Sequence, residues 1–146
     1  MSREAFTVAT ERGAHVLIVE DNDEVRLMLS TLLSSEGYAV TGVGTAVEGA
    51  VAAGKARPDL VIMDLGLPDA DGLSAVRAMR SRVGLVHTPI LMVTAYDTMQ
   101  FREEAMEAGC SGYMVKPVDP ERLLEAVRLL TRGGRGHSDP NGGLRG

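Results

Sequence analysis

One cysteine, Cys110, stands in a chain of 146 residues. It has no partner for an internal disulfide, which fits a reducing compartment such as the cytoplasm. Histidine is also sparse: His15, His87 and His137 are scattered, so no zinc-type Cys/His cluster is expected. No apolar run approaches the roughly 20 residues a membrane-spanning helix needs. The opening MSREAFTVATERGA lacks the apolar stretch of a secretory signal. Basic charge is in deficit: 15 Lys and Arg face 20 Asp and Glu, for a net charge of −5. That argues against nucleic-acid binding through bulk charge. No repeat recurs at a solenoid period. What the chain does have is 45% hydrophobic residues, enough at this length for one ordinary core.

Five short apolar runs stand out: HVLIV (15–19), YAVTG (38–42), LVIMD (60–64), PILMV (89–93) and GYMV (112–115). Four are near-continuous, as suits strands buried on both faces, and the second alternates. Helical patterns lie between and after them. In 23–35, Val25, Met28, Leu29, Leu32 and Leu33 share one face, with Asp23 and Glu24 at the start and Gly37 beyond the end. Segment 45–53 carries Ala46, Val47, Ala50 and Ala53, with Gly54 after it, and segment 72–82 repeats Leu73, Val76 and Met79. Segment 97–108 is more polar and closes at Gly109. Segment 119–131 turns Leu123, Leu124, Val127 and Leu130 inward behind an Asp119-Pro120 start. Five alternations of strand and helix predict an α/β fold with an open parallel sheet covered on both faces. Ligands in such sheets bind at the carboxyl ends of the strands.

The strand ends carry the chemistry. The first ends in Glu20-Asp21, the third in Asp64, the fourth in Thr94 and the fifth in Lys116-Pro117. One sheet edge should therefore gather three carboxylates, a hydroxyl and an ammonium. Clustered carboxylates repel unless something neutralises them, and a hard cation such as Mg2+ prefers carboxylate and carbonyl oxygens. Lys116 suits a phosphoryl group, and Thr94 can donate to one. A carboxylate beside a metal and a lysine can attack phosphorus. Each residue alone has a plainer reading. Asp64 could be a turn residue, Glu20-Asp21 a cap for the first helix, Thr94 a cap for the fourth, and Lys116 a surface charge. All four on different strands of one sheet make coincidence a poor account. His87 reads as a loop residue and Cys110 as an inert small one.

The segments VLIVEDN, VIMDLGLPDADGL, MVTAY and GYMVKPV, in this order and spacing, resemble the receiver domains of two-component response regulators. The resemblance runs from about Ala14 to Thr131. It implies a flavodoxin-like (βα)5 doubly wound sheet of strand order 2-1-3-4-5. It also implies that Asp64 is the phospho-acceptor, that Asp21 binds Mg2+ directly, and that Glu20 serves the same pocket, often through water. The backbone carbonyl of Gly66 would be a further metal ligand. Thr94 would be the switch hydroxyl, Lys116 the partner of the phosphoryl oxygens, and Tyr113 the switch aromatic. The Lys116-Pro117 peptide would be cis. The acidic pair is Glu-Asp where Asp-Asp is common. Gly66 and Tyr96 occupy the variable positions that tune phosphoryl lifetime.

The function implied is a phosphorylation-dependent signalling switch. Its donor would be a histidine kinase or histidine phosphotransfer protein. Its downstream protein target would meet the face of the fourth helix, fifth strand and fifth helix, and phosphorylation-dependent homodimerisation is left open. Neither nucleic acid nor membrane is an expected direct partner, and no catalysis is expected beyond its own phosphorylation and dephosphorylation. A metal-dependent aspartyl-phosphate phosphatase shares the chemistry. Such enzymes usually place a second acid where this chain has Gly66, and add a cap for which no insertion here is long enough. Residues 1–13 read as an N-terminal extension, 14–131 as the receiver domain, and 132–146 as a flexible Gly-rich tail. A single-domain regulator, or a receiver from a longer regulator or hybrid kinase, both fit.

Overall fold

A computed structural model describes residues 13–135. The remainder of the expected extension and tail, residues 1–12 and 136–146, lies outside the described residues. The elements follow in the order β1 (His15–Val19), α1 (Asp23–Ser35), β2 (Ala39–Val43), α2 (Ala46–Ala56), β3 (Leu60–Met63) and α3 (Gly72–Ala78). A π-helical turn (Met79–Val83) continues α3, and β4 (Ile90–Thr94), α4 (Met99–Ala108), β5 (Gly112–Val115) and α5 (Pro120–Arg135) complete the fold. The five strands form one sheet of order β2-β1-β3-β4-β5, every neighbouring pair parallel.

Side-chain alternation splits the apolar strands between two cores. Leu17, Val19, Val61, Met63, Ile90 and Met92 pack on one face with Ala53 of α2, Ala75 and Val76 of α3, and Ala105 and Ala108 of α4. Val16, Ile18, Leu60, Ile62, Leu91 and Val93 point the other way, against Leu29 and Leu33 of α1 and Leu123 and Val127 of α5. Two-sided burial is why these strands read as continuous apolar runs. β2, an edge strand with no fully buried residue, is the one that alternates. Full burial of a residue such as Leu123 contributes about 1.5–3 kcal/mol, so either core tolerates polar substitution poorly.

Helix starts are set by side-chain caps. Asn22 accepts from Val25 N at 3.0 Å, Thr45 from Glu48 N at 3.1 Å, and Thr98 from Phe101 N at 3.1 Å. Asp71 accepts from Leu73 N at 2.9 Å, and Asp119 from Glu121 N at 3.2 Å. Helix ends differ from the sequence-based bounds. Gly54 lies inside α2, which stops instead at Arg57 in the left-handed region (φ 49°). Pro58 follows it and cannot extend the helix. α3 does not run as an α-helix to Arg82 but widens into the π turn, closed by Gly84 at φ 82°. α5 continues past Thr131 to Arg135. The buried Thr131 hydroxyl donates back to Val127 O at 2.7 Å, inside the helix. Met28, expected on the shared apolar face of α1, is 44% exposed, and Val47 of α2 is 66% exposed.

Candidate functional site

The sheet delivers the carboxyl ends of β1, β3, β4 and β5 to one edge, and the expected residues meet there. Glu20 follows β1 and is 3% exposed. One of its carboxylate oxygens, Oε2, accepts from Asn22 N at 3.1 Å. The other, Oε1, accepts from Lys116 Nζ at 2.9 Å. Asp21 beside it is exposed. Asp64 follows β3, and its side chain is 12% exposed. Its Oδ2 accepts from Lys116 Nζ at 3.3 Å and its Oδ1 from Gly66 N at 3.3 Å. Carboxylate oxygens of Glu20, Asp21 and Asp64 all lie within 4.8 Å of one another.

Asp64 does accept from Gly66 N two residues on, as a turn residue would, but the plainer readings of the other residues fail on geometry. α1 is capped by Asn22 rather than by Glu20 or Asp21. α4 is capped by Thr98 rather than Thr94. Lys116 does not project into water: its ammonium joins two carboxylates from β1 and β3, across the sheet from its own strand. Burial alone would push its pKa down. The hydrogen bond Lys116 donates to Glu20 and the charges of Asp64 and Glu20 outweigh burial and hold it above the usual lysine value. Lys116 is therefore charged at neutral pH. The Lys116-Pro117 peptide is cis.

Three carboxylates against one ammonium leave the cluster under-neutralised. The donor set is all oxygen, two acids sit on adjacent residues, and Asp21 opens to solvent. Such a set fits Mg2+, which takes carboxylate oxygens and retains several waters. The Gly66 backbone belongs to the same loop and is exposed. A bridge between Gly66 and Asp71 folds this loop back on itself. The return is tight at Gly72, where a Cβ would stand 2.5 Å from Leu65 Cα and 2.8 Å from Asp64 O. Only glycine fits there, which accounts for the Gly that ends the acidic turn.

Thr94 is 1% exposed, and its Oγ1 accepts from Tyr96 N at 3.3 Å. Tyr96 O in turn accepts from the Tyr113 hydroxyl at 2.8 Å. A single residue thus joins the buried hydroxyl to the half-buried aromatic on β5. Arg102 of α4 lies over the Tyr113 ring, 5.3 Å from its centroid, and donates to Asp97 at 3.0 Å. Burial pushes the Tyr113 pKa up, Asp97 and Cys110 add to this, and Arg102 opposes it. The Tyr96 and Phe101 rings pack with centroids 4.8 Å apart.

Three contributors escaped the sequence reading. Arg26 donates to Glu20 O at 2.8 Å and to Asp23 at 2.6 Å, fixing the acidic loop from α1. Asp69 accepts from Ala46 N at 2.8 Å and Val47 N at 3.0 Å, fastening the β3–α3 loop to the start of α2. Asp71 caps α3 and also accepts from the Ser74 hydroxyl at 3.0 Å. Asp71 before Gly72 carries a readable N-cap signal. Asp69 carries none, because its partners are backbone amides 23 and 22 residues away, and Arg26 reads as an ordinary exposed-face pair with Asp23.

The family model described as the response regulator receiver domain matches residues 16–128. The transcriptional regulatory protein PmrA of Pectobacterium parmentieri is 40% identical over 124 residues, covering 85% of this chain and 55% of PmrA. The polar-differentiation response regulator DivK of Brucella anthropi is 31% identical over 113 residues, covering 77% of this chain and 92% of DivK. Among solved structures, the receiver domain of the sensor histidine kinase PA1611 from Pseudomonas aeruginosa superposes with a TM-score of 0.76 at 32% identity. It covers 82% of this chain and 98% of that one, and its structure has a magnesium ion coordinated in the active-site cleft. The chain spans about half the length of the first curated relatives it matches, 50% to 55%. A model match over nearly all the described residues, on a sheet of the expected order, places this chain in the response regulator receiver domain family.

Proposed function

We propose that the protein is a phosphorylation-driven signalling switch whose acceptor is Asp64. The observation that carries the proposal is the placement of Lys116, whose ammonium contacts both Asp64 and Glu20 at the mouth of an acidic cluster. The donor is a phosphohistidine on a kinase or phosphotransfer protein. An Asp64 oxygen attacks the phosphorus in line, the P–N bond breaks, and the electron pair leaves with the imidazole. Lys116 supplies positive charge to the phosphoryl oxygens as charge redistributes. Asp21, Asp64 and the Gly66 carbonyl would hold Mg2+, with Glu20 serving the same pocket through water. When bound, that ion supplies electrostatic stabilisation of the transferring phosphoryl group. No second acid stands at Gly66, so the phosphatase reading lacks its general acid.

Thr94 is the switch hydroxyl. Its oxygen accepts from Tyr96 N, which leaves the hydroxyl proton free to turn toward a phosphoryl oxygen. Turning it disturbs the Tyr96 segment on which the Tyr113 hydroxyl rests. Tyr113 then changes position, and with it the surface of α4, β5 and α5 that meets a downstream protein. A small free-energy difference between two states is enough for such a response. This chemistry belongs to the cytoplasm, where kinase and phosphoryl donor are available.

Incubation with acetyl phosphate and Mg2+ followed by intact-mass measurement tests the reading. Wild type should gain one phosphoryl group and Asp64→Asn none. Stoichiometric labelling of Asp64→Asn, mapped to another residue, would overturn the assignment.

A further inference from the structure

The helices α2 and α3 leave between them an open groove of about 470 Å3, lined by no residue of α4, β5 or α5. Its floor is made of small residues, including Ala46, Ala50, Ala75 and Ala78. Along α2, Val47 and Val51 are 66% and 53% exposed. With Ala50 and Gly54 they form a stripe at helical spacing that the fold's own core does not use. Isolated exposed apolar residues are ordinary, but a stripe beside a groove is the form an interaction site takes.

Charge around the groove runs against that of the molecule. Lys55, Arg57, Arg77 and Arg82 are all exposed near the C-terminal ends of α2 and α3. These ends lie side by side: Arg57 donates to Val83 O at 3.4 Å, and Gly54 faces Val83. None of these four cations forms an ion pair among the described residues. The acids nearby are turned to backbone amides instead. Asp69 serves Ala46 and Val47, Asp71 serves α3, and Asp59 accepts from His15 N at 2.8 Å. A chain of net charge −5 thus presents one apolar groove with a cationic end.

We infer that the α2–α3 groove is a docking site for an amphipathic helix of a partner protein, one carrying an apolar stripe flanked by acidic residues. Small residues on the floor let a helix approach closely, Val47 and Val51 supply the apolar contact, and Arg77 and Arg82 pair with the acidic flank. Cationic complementarity selects the acidic flank and speeds encounter more than it adds affinity. The site is independent of Asp64 and of the phosphorylation reading.

The probe is a synthetic helical peptide of about 18 residues with leucine at the stripe positions and glutamate elsewhere. Its counterpart carries lysine for every glutamate. Amide shifts of the isotope-labelled protein are followed with each peptide. The acidic peptide should shift Ala50, Ser74, Arg77 and Ala78 saturably. The lysine peptide should not. The double variant Arg77→Glu, Arg82→Glu should weaken binding by about tenfold, and Val51→Ser should weaken it without altering the fold. Overturning results are shifts centred on α1 or α4, equal binding of both peptides, or no saturable shift. Shifts at the groove that grow with protein concentration and no peptide would also overturn it, because the occupant would then be a second copy of the chain.

Discussion

Replacing Asp64 by asparagine should stabilise the protein in the absence of divalent cations. The carboxylates of Glu20, Asp21 and Asp64 have oxygens within 4.8 Å of one another, while Lys116 stands 3.3 Å from Asp64. At an effective dielectric of about 20, each repulsion at that separation is worth about 3.5 kcal/mol and the single attraction about 5 kcal/mol. Two repulsions against one attraction make the Asp64 charge a net cost of about 2 kcal/mol to the folded state. Solvent around the exposed Asp21 weakens its share and brings the net to about 1 kcal/mol. Asparagine keeps an oxygen that can accept from Lys116, so no buried ammonium is orphaned.

The assay is urea or thermal denaturation of both proteins in a chelator, repeated in millimolar Mg2+. Asp64→Asn should melt a few degrees above wild type in chelator, since about 1 kcal/mol moves the midpoint of a domain this size by roughly 4 °C. Mg2+ should raise wild type more than the variant, because a ligand stabilises the folded state according to its affinity. The gap then narrows or reverses. A variant less stable than wild type in chelator would refute the electrostatic reasoning. So would a gap that ignores Mg2+.

Three further outcomes follow from other parts of the molecule. Gly72→Ala should cost about 1–3 kcal/mol and slow labelling by acetyl phosphate, since its Cβ would meet the backbone of Leu65 and Asp64; an unperturbed labelling rate would mean the loop can move aside. Arg80→Met should cost about 3 kcal/mol in urea denaturation, because the Arg80 guanidinium donates to the carbonyls of Leu85, Thr88 and Gly109 and nothing replaces those donors. Stability should fall as pH rises from 9 to 11: burial pushes the Cys110 thiol up to about 11, against an opposing pull from Arg80. The folded state keeps that proton while the unfolded chain has lost it, so the contribution is complete below pH 9 and lost above. Lys116 and Tyr113, both raised, titrate in the same direction. Cys110→Ala should show a shallower slope over this range, and equal slopes would remove the thiol from the account.

The strands were legible because burial on two faces leaves a plain mark, while their order in the sheet came only from the resemblance to receiver domains. Val16 to Val19 and Leu60 to Met63 are apolar at every position, since each neighbour serves a different core. Helix starts were legible where a capping residue stands beside an apolar period, as at Asp119 before Pro120. Helix ends were not. Gly54 looks like a stop, yet α2 passes it and ends at Arg57. The π turn after α3 has no local signal either, because Arg80 makes its bonds to residues that lie 5, 8 and 29 positions away. Local sequence reports local energetics, and these endings are decided by tertiary contacts.

The site was legible for a different reason. A parallel sheet places every strand's last residue at one edge, so topology alone converts Glu20, Asp21, Asp64, Thr94 and Lys116 from scattered positions into neighbours. What topology cannot supply is the second layer of contacts. Tyr113 and Thr94 sit on adjacent strands, but β4 and β5 pair Thr94 with Val115 and Met92 with Tyr113. Thr94 and Tyr113 are thus offset by two residues, and what joins them is Tyr96, whose amide reaches Thr94 and whose carbonyl reaches Tyr113. That connection depends on the path of the β4–α4 loop, where residues 95–98 are all exposed. A loop with so little burial can be redirected at small cost, while the strands on either side stay fixed by their cores. The acidic cluster and its lysine are therefore held by the rigid part of the fold, and the proposed switch by the compliant part. The first was readable from strand ends, and the second only from the hydrogen bonds that join them.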